Sequence, residues 1–318
     1  LNLIDAAKES GVNAIKFQNY TAAKLTTKTA PKYWDDGIKN ESQFDVFDKL
    51  DKLSDDEWSQ IFDYARKKDI TCFSTPFDME SVDLLESLNV PAYKIASADI
   101  THTPLVKKIA SKQKPIFMST GMASMDEVHD AVSIIQDEGN EEIIIMHCIT
   151  SYPTKSEDAN LDMIKSLDLE FPDYIIGYSD HTLGTDIASY SIFYGSKCIE
   201  KHFTYDKNLS VSRDHRLSLN SDDFKELIKK IKLIEMSRGS RARDNFSAES
   251  SAVEFARRSI VSKYDIPKGT EITENMIDVK RPGTGILPKY FFKIIGSKTL
   301  KDIPEDSTIQ WTDIDFNQ

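Results

Sequence analysis

The sequence predicts an α/β fold, a (β/α)8 barrel followed by a small C-terminal domain. Seven runs of β-branched and aromatic residues recur along the first two thirds of the chain, and most are separated by a segment with helical periodicity. Strands that alternate with helices pair in parallel, because each helix serves as the crossover between two strands. A third observation, a change to short strands and turns from residue 257 onward, predicts the second domain.

The barrel elements follow one another in order. The chain opens on a predicted helix over residues 1–10, which Gly11 ends. The predicted strands cover residues 14–18, 71–75, 92–97, 116–120, 143–148, 174–179 and 198–203. Further helices are predicted over residues 55–68, 79–88, 125–138, 186–194 and 222–234, with Ser54 and Ser124 as N-caps of the first and third. A closed barrel needs eight strands, so we expect the first strand to precede Leu1.

Composition excludes several classes of protein. A formal net charge of −12 argues against broad nucleic-acid binding, although a few lysines in one pocket can still hold an anion. Cys72, Cys148 and Cys198 lack the spacing of a zinc ribbon or a disulfide framework, which predicts a reducing compartment and hence the cytoplasm. No apolar run approaches the length of a membrane span and no charged-then-apolar leader opens the chain, so we expect neither membrane insertion nor secretion.

Two consecutive predicted strands end in polar residues that include a histidine. His181 follows Ser179 at the end of one run, and His202 follows Glu200 at the end of the next. Parallel strands place their carboxyl ends at the same edge of a sheet, where ligands bind in α/β proteins. Two core histidines satisfied by backbone groups are the alternative. The matched positions on adjacent strand ends favour a metal site.

Polar side chains recur at nearly every other strand end as well. They are Lys16, Gln18, Thr75, Lys94, Ser97, Ser119, Thr150 and Tyr152. A single lysine or hydroxyl at such a place is more often a surface residue or a helix cap. Two lysines and several hydroxyls that converge on one barrel mouth instead predict a phosphate-binding pocket, since ammonium groups supply charge and hydroxyls supply directed donors. The small-residue turn at Gly121 lets backbone amides approach the same oxygens.

The chain divides into three parts in this interpretation. The barrel domain covers residues 1–236, a polar linker covers residues 237–256, and the small domain covers residues 257–318. A domain of about 60 residues is marginally stable alone, so we expect it to dock against a barrel.

Seven short motifs resemble, in matching order, those of the sialic acid synthase (N-acetylneuraminate synthase) family. They are Lys16-Phe17-Gln18, Ser74-Thr75-Pro76-Phe77-Asp78, Tyr93-Lys94-Ile95-Ala96-Ser97, Ser119-Thr120-Gly121-Met122-Ala123, Gly177-Tyr178-Ser179-Asp180-His181-Thr182, Glu200-Lys201-His202-Phe203 and Asp214-His215. The tail, from Arg257-Arg258-Ser259 through Arg281-Pro282-Gly283, resembles the antifreeze-like (SAF) domain of that family, which has a β-clip fold.

The resemblance implies an enzyme, a transferase that condenses phosphoenolpyruvate with an N-acylated hexose such as N-acetylmannosamine. The products would be a nine-carbon 2-keto sugar acid and phosphate. It also implies a divalent cation, Mn²⁺ first and Mg²⁺ or Co²⁺ as alternatives. A catalytic glutamate belongs to the family's first strand, which lies outside this sequence.

The resemblance also implies roles for individual residues. The metal ligands would be His181 and His202, and Glu200 and Tyr152 would join them in catalysis. Phosphoenolpyruvate would bind to Lys16, Thr75, Lys94, Ser97, Ser119, Thr150 and Ser179, with Thr150 at a position where some members have asparagine. The sugar would contact Gln18, Tyr152, Asp214 and Arg281, the last of these reaching in from a partner subunit of a domain-swapped homodimer.

Several alternatives stay open from the sequence. The product is N-acetylneuraminate, legionaminate or pseudaminate, and the Asp214-His215 pair favours the first two. The loop over residues 208–213 lacks the Gly-Pro-rich form of many members, which leaves the sugar undecided. Another phosphoenolpyruvate aldol synthase fits less well because of the small C-terminal domain. A carbohydrate-binding barrel without activity would not need an open metal site.

Overall fold

The computed structural model describes residues 1–34, 41–209, 212–240 and 247–316. The chain divides into two compact units, Leu1–Gly239 and Ser240–Gln318. Within the predicted linker, residues 241–246 lie outside the described ranges, and so do Ser210 and Val211 of the loop predicted to bear on substrate choice.

Seven strands of the first unit form one sheet, in sequence order and with every neighbouring pair parallel. They are β1 (Ala14–Asn19), β2 (Thr71–Pro76), β3 (Tyr93–Ile95), β4 (Ile116–Ser119), β5 (Ile143–Cys148), β6 (Ile175–Asp180) and β7 (Cys198–Lys201). Side chains from the two outermost strands nevertheless meet, because Nζ of Lys16 on β1 lies 4.0 Å from Oε2 of Glu200 on β7. The sheet is therefore strongly curved, as a (β/α)8 barrel requires, and the described residues supply seven of its eight strands.

Helices follow the strands along the chain. They are α1 (Asn2–Ser10), α2 (Ala22–Leu25), α3 (Gln43–Leu50), α4 (Asp55–Lys67), α5 (Met79–Ser87), α6 (Thr103–Ala110), α7 (Met125–Asp137), α8 (Asp162–Glu170), α9 (Asp186–Tyr190) and α10 (Ser221–Arg238). The predicted caps of α4 and α7 are confirmed, since Ser54 and Ser124 both form capping boxes that satisfy otherwise unpaired backbone amides. The first and last helices pack together, with Ser221 Oγ donating to Ala6 O at 3.2 Å.

The core of the first unit lies among the strands and the inner faces of the helices. Buried members include Ile4 and Phe62 from helices and Tyr93, Ile145 and Tyr178 from strands, each at most 1% exposed. Burial of each such side chain stabilises the fold by roughly 1.5–3 kcal/mol. This packing holds the strand ends rigidly, which is a condition for a precise site.

Several predicted element boundaries differ from the structure, among them two in the segment that contains the candidate metal ligands. The helix predicted over residues 186–194 ends at Tyr190 as α9 and continues as turns, because the amides of Phe193, Tyr194 and Gly195 donate to the carbonyl three residues earlier instead of four. The strand predicted over residues 198–203 ends at Lys201, since no ladder pairing extends beyond the Asp180–Lys201 step. Both candidate metal ligands, His181 and His202, therefore come directly after a strand end.

The second unit contains α11 (Ser250–Phe255), β8 (Ser259–Ser262), β9 (Ile277–Lys280), β10 (Lys298–Thr299) and β11 (Ile314–Asp315). β8 pairs antiparallel with β9, and β10 pairs antiparallel with β11. Its buried core consists of isoleucines from many short segments, among them Ile260, Ile277 and Ile309, each fully buried. An isolated bridge pairs Thr308 with Val261. Helix α11 lies inside the segment predicted as a linker.

Across the described residues, no helix combines the length and the apolar character needed to cross a membrane.

Candidate active site at the strand ends

Lys94, on β3, occupies the centre of the polar residues at the barrel mouth. Its side chain is buried, and Nζ donates to Ser119 Oγ at 2.6 Å and to the carbonyl oxygen of Ile95 at 3.0 Å. Burial lowers the pKa of this lysine, while Glu200 opposes that effect. Lys16 lies nearby, with Nζ 3.4 Å from Thr75 Oγ1. Two ammonium groups thus converge where the sequence predicts an anion.

Glu200 is the carboxylate that faces these two lysines. Oε1 lies 3.8 Å from Lys94 Nζ and accepts a hydrogen bond from Ser179 Oγ at 2.9 Å. Burial by itself would raise the pKa of Glu200, but Lys16 and Lys94 outweigh it and lower the pKa to about 2. Glu200 is therefore ionised at neutral pH.

A small cradle of hydroxyl groups lies beside Gly121. The Gly121 amide donates to Ser97 Oγ at 3.0 Å. A Cβ atom added at Gly121 would lie 2.3 Å from Thr150 Oγ1 and 2.8 Å from Ser97 Oγ, so only glycine fits here. Thr150 Oγ1 is buried and has no hydrogen-bond partner in the protein. A buried hydroxyl without a partner is costly, so this one is suited to a ligand oxygen.

His181 and His202 lie side by side, with ring centroids 5.3 Å apart. Nδ1 of His181 donates to the carbonyl oxygen of Ile149 at 2.8 Å, because a carbonyl can only accept. Burial, assisted by the neighbouring His202, lowers the pKa of His181 to about 4. Burial also lowers the pKa of His202. His181 is thus neutral at pH 7, with the lone pair on Nε2 free to bind a metal.

Tyr152 covers the two imidazoles. Its ring centroid lies 4.2 Å from that of His181 and 5.9 Å from that of His202. Burial raises the pKa of the Tyr152 phenol, so it stays protonated and can donate a hydrogen bond. The loop that carries Tyr152 is joined to the histidine loop by Thr154, whose amide donates to the carbonyl oxygen of His181 at 2.9 Å.

The remaining predicted residues are more dispersed. Asp214 Oδ2 lies 3.9 Å from Nδ1 of His202, so the structure brings Asp214 to the histidines. Gln18 follows Lys16 on the same face of β1 and is exposed. Arg281 belongs to the second unit, where it directly follows β9 and is exposed.

The donor set around the histidines fits an open metal site. In the described part of the chain, no group of three or more His, Cys, Asp or Glu side chains is arranged to hold a metal ion. Two adjacent imidazoles, one of them with its Nε2 lone pair free, could nevertheless supply two ligands to a divalent cation and would leave its other positions open. Such incomplete coordination is typical of catalytic sites and unlike structural ones.

Sequence reasoning missed three residues near the site. Asp180 and Lys201 form a buried ion pair at 2.6 Å behind the histidines, although both belong to the quoted motifs. Asp99 is the third, and its Oδ2 is buried without a partner. Burial raises the pKa of Asp99 to about 6, while His102 and Lys94 oppose the shift. The signal that could have revealed the Asp180–Lys201 pair was Lys201, a charged residue within a predicted strand.

A cavity of about 530 Å³ is lined by residues that include Leu161, Ile187 and Phe193 and by none of the predicted site residues. No lysine, histidine or carboxylate lines it, so it lacks the charge that an anion or metal site needs.

Comparison with known proteins identifies the family of this chain. The NeuB family matches residues 3–243, and the SAF domain matches residues 257–315. The chain is 36% identical over 313 residues to the N,N'-diacetyllegionaminic acid synthase of Campylobacter jejuni, covering 97% of this chain and 93% of that protein. It is also 36% identical over 321 residues to the pseudaminic acid synthase of Helicobacter pylori, covering 98% and 92%.

A solved structure agrees with this result. The N-acetylneuraminic acid (sialic acid) synthetase of Leptospira borgpetersenii matches with a TM-score of 0.70 and 29% identity, over 79% of this chain and 83% of that one. The fold and the family predicted from the motifs are confirmed. With three quarters of its length matched by the family and its tail by the SAF domain, this chain belongs to the NeuB family.

Proposed function

We propose that this chain condenses phosphoenolpyruvate with the aldehyde of an N-acylated hexose, giving a nine-carbon 2-keto sugar acid and inorganic phosphate. One observation carries the proposal: two lysines and a row of hydroxyls at the strand ends adjoin a pair of neutral imidazoles. The names of the matched synthases support the same class of reaction.

Phosphoenolpyruvate would bind at Lys16 and Lys94. The two ammonium groups offset the charge of its phosphate and carboxylate, and the hydroxyls of Thr75, Ser97, Ser119, Thr150 and Ser179 supply directed donors. The buried, unpartnered Thr150 Oγ1 supports this assignment, because a ligand oxygen would satisfy it. Fixing the enol in this way orients its methylene carbon toward the second substrate.

The acceptor sugar would bind beside the imidazoles. His181 and His202 would hold a divalent cation, most reasonably Mn²⁺, which when bound polarises the aldehyde oxygen. Tyr152, Gln18 and Asp214 would contact the sugar hydroxyls. Tyr152 is suited to donate, because burial keeps its phenol protonated.

The reaction then balances with water as the one further reagent. The methylene carbon of the enol forms a bond to the aldehyde carbon while the π bond of the aldehyde breaks toward its oxygen, which leaves positive charge on C2 of the former phosphoenolpyruvate. Water adds at C2, and one of its protons ends on the former aldehyde oxygen, which becomes a hydroxyl group. The bond between C2 and the phosphate oxygen then breaks as the C2 hydroxyl becomes the ketone, and the departing phosphate takes the second proton. The ionised carboxylate of Glu200 would stabilise the positive charge that develops at C2.

We also propose that the enzyme is a homodimer in which Arg281 of one subunit contacts the N-acyl group in the barrel of the other. The motif resemblance supports this arrangement, and so does the exposed position of Arg281 directly after β9.

The direct test is phosphate release from phosphoenolpyruvate in the presence of Mn²⁺. The acceptor panel contains N-acetylmannosamine, the diacetamido hexose precursors of legionaminate and pseudaminate, and a reaction without sugar. We expect release that depends on Mn²⁺ and on one sugar, together with a product of the matching mass. The His181→Ala variant should lose it, whereas His129→Ala, on the exposed face of α7, should keep it. Folded wild-type enzyme that releases phosphate with none of these sugars would contradict the proposal.

A further inference from the structure

A fully buried ion pair joins the two strands that precede the histidines. Nζ of Lys201 lies 2.6 Å from Oδ2 of Asp180, and neither side chain is exposed to solvent. The same ammonium group donates to the carbonyl oxygen of Thr182 at 2.5 Å. Asp180 and Lys201 are also register partners in the parallel pairing of β6 with β7. The pair therefore connects the last residues of both strands.

The carboxylate of Asp180 is held by further donors. Oδ1 accepts from the Tyr178 hydroxyl at 3.0 Å and from the Thr182 amide at 2.8 Å. Oδ2 accepts from Thr182 Oγ1 at 3.0 Å as well as from Lys201. With four donors on two oxygens, the orientation of this carboxylate is fixed.

The ion pair does not face the substrates. Side chains alternate across a strand, and Ser179 and Glu200, one residue earlier in each strand, point toward Lys94 in the barrel mouth. Asp180 and Lys201 therefore point to the opposite side of the sheet. They can affect the chemistry only through the backbone that they hold.

Net stability does not explain such a pair well. Removing two charges from water costs about as much free energy as their attraction returns, so a buried ion pair often adds little to stability. In some proteins a buried polar or charged pair instead selects one geometry over others. Here the pair lies next to both imidazoles in the chain. Asp180 directly precedes His181, and Lys201 directly precedes His202.

We infer that Asp180 and Lys201 are positioning residues that set the relative orientation of the His181 and His202 imidazoles. The inference deepens the proposed function, on which its metal-binding consequence rests. The Lys201 ammonium, in the segment that leads into His202, binds both the Asp180 carboxylate before His181 and the Thr182 carbonyl after it, so the backbone on either side of His181 is tied to that segment. Without the pair, each ring would retain its own contacts, such as that of His181 with Ile149, but the distance between the rings would vary.

The first test is Mn²⁺ binding to the Asp180→Asn variant, measured without substrates by the electron paramagnetic resonance signal of free Mn²⁺. Asparagine keeps the shape and removes the charge. We expect the dissociation constant to rise about 10- to 100-fold, as is typical when the groups that orient metal ligands are lost. In turnover, kcat should fall while the KM for phosphoenolpyruvate changes little, because Lys16 and Lys94 are untouched.

A matched control separates positioning from stability. Leu167→Ala, in the buried face of α8, destabilises the same unit far from the strand ends. It should keep the Mn²⁺ affinity of the wild type. The double variant Asp180→Asn, Lys201→Met removes both charges and should recover stability without recovering Mn²⁺ affinity. If Asp180→Asn fails to fold, Tyr178→Phe removes a single hydroxyl and should weaken Mn²⁺ binding several-fold.

A second readout does not depend on metal. In protein labelled at histidine Cε1, the ring signals of His181 and His202 should shift or broaden in the metal-free Asp180→Asn variant, whereas those of His102 and His129 should not. Unchanged signals, or a variant that binds Mn²⁺ like the Leu167→Ala control, would overturn the inference. Mn²⁺ binding that survives the His181→Ala substitution would instead overturn the proposed metal site. The ring signals would still decide the role of the Asp180–Lys201 pair.

Discussion

Nζ of Lys16 and Oε2 of Glu200 lie 4.0 Å apart although their strands, β1 and β7, occupy opposite edges of the sheet. Lys94, from β3 in the interior of that sheet, approaches the other oxygen of the same carboxylate at 3.8 Å. Three strands that are not neighbours thus place charged groups around one point. A single substitution at this point should affect substrate binding more than folding.

Replacing Lys94 with methionine should lower kcat/KM for phosphoenolpyruvate. The change removes one of two ammonium groups and leaves Glu200 with a single close cation. The loss of one partner from a buried charge pair costs roughly 2–5 kcal/mol, so kcat/KM for phosphoenolpyruvate should fall roughly 30- to 5,000-fold. Lys114→Met is the matched control, because Lys114 pairs with Glu86 at 2.9 Å just before β4, at the other end of the barrel. Equal losses in both variants would argue against Lys94 as a phosphoenolpyruvate ligand.

Gly121→Ala should fill the hydroxyl cradle. The new Cβ would overlap Thr150 Oγ1 and crowd Ser97 Oγ, both predicted to bind phosphoenolpyruvate, so the KM for this substrate should rise at least tenfold. Gly139→Ala provides the comparison. Gly139 lies between α7 and β5 at the opposite end of the strands, has φ 79° and has no atoms near its Cβ position. It should lose about 1–2 kcal/mol of stability and keep the wild-type KM.

Asp99 should make folding stability depend on pH. Burial raises the pKa of this carboxyl from 3.8 to about 6, so the folded state binds its proton more tightly than the unfolded state does. The stabilisation is complete below about pH 4 and is lost as the pH rises through about 6. Relative to Asp99→Asn, the free energy of unfolding of the wild type should fall by up to about 3 kcal/mol across that window. If the difference in free energy of unfolding between the two proteins is the same at every pH, this prediction is wrong.

Two impaired variants should restore activity when mixed. If Arg281 acts in the barrel of a partner subunit, a hybrid of Lys94→Met and Arg281→Ala subunits contains one active site with both defects and one with neither. Unfolding and refolding the mixture should therefore yield activity that neither variant shows alone, approaching one quarter of the wild-type level for random pairing at equal concentration. Absence of recovery, with hybrid dimers demonstrated by mass, would show that Arg281 acts within its own chain or not at all.

Much of this site could be predicted from the sequence. The alternation of strands and helices predicted a parallel sheet, and the position of each polar residue at a strand end predicted which side chains would lie at the barrel mouth. Lys16, Lys94 and Glu200 lie at the same end of the sheet because parallel strands share one direction. The predicted length of α9 was wrong, because apolar periodicity does not distinguish an α-helix from the turns with i→i−3 hydrogen bonds that follow Tyr190.

The sequence by itself determined the class of fold, the family and the set of residues at the barrel mouth, because these depend on local periodicity and on short motifs. Only the tertiary structure decided which of those residues meet. The Lys16–Glu200 approach depends on the curvature of a whole sheet, and the Asp180–Lys201 pair depends on the register between two strands. Curvature and register arise from packing among residues distant in the chain, so no local pattern contains them.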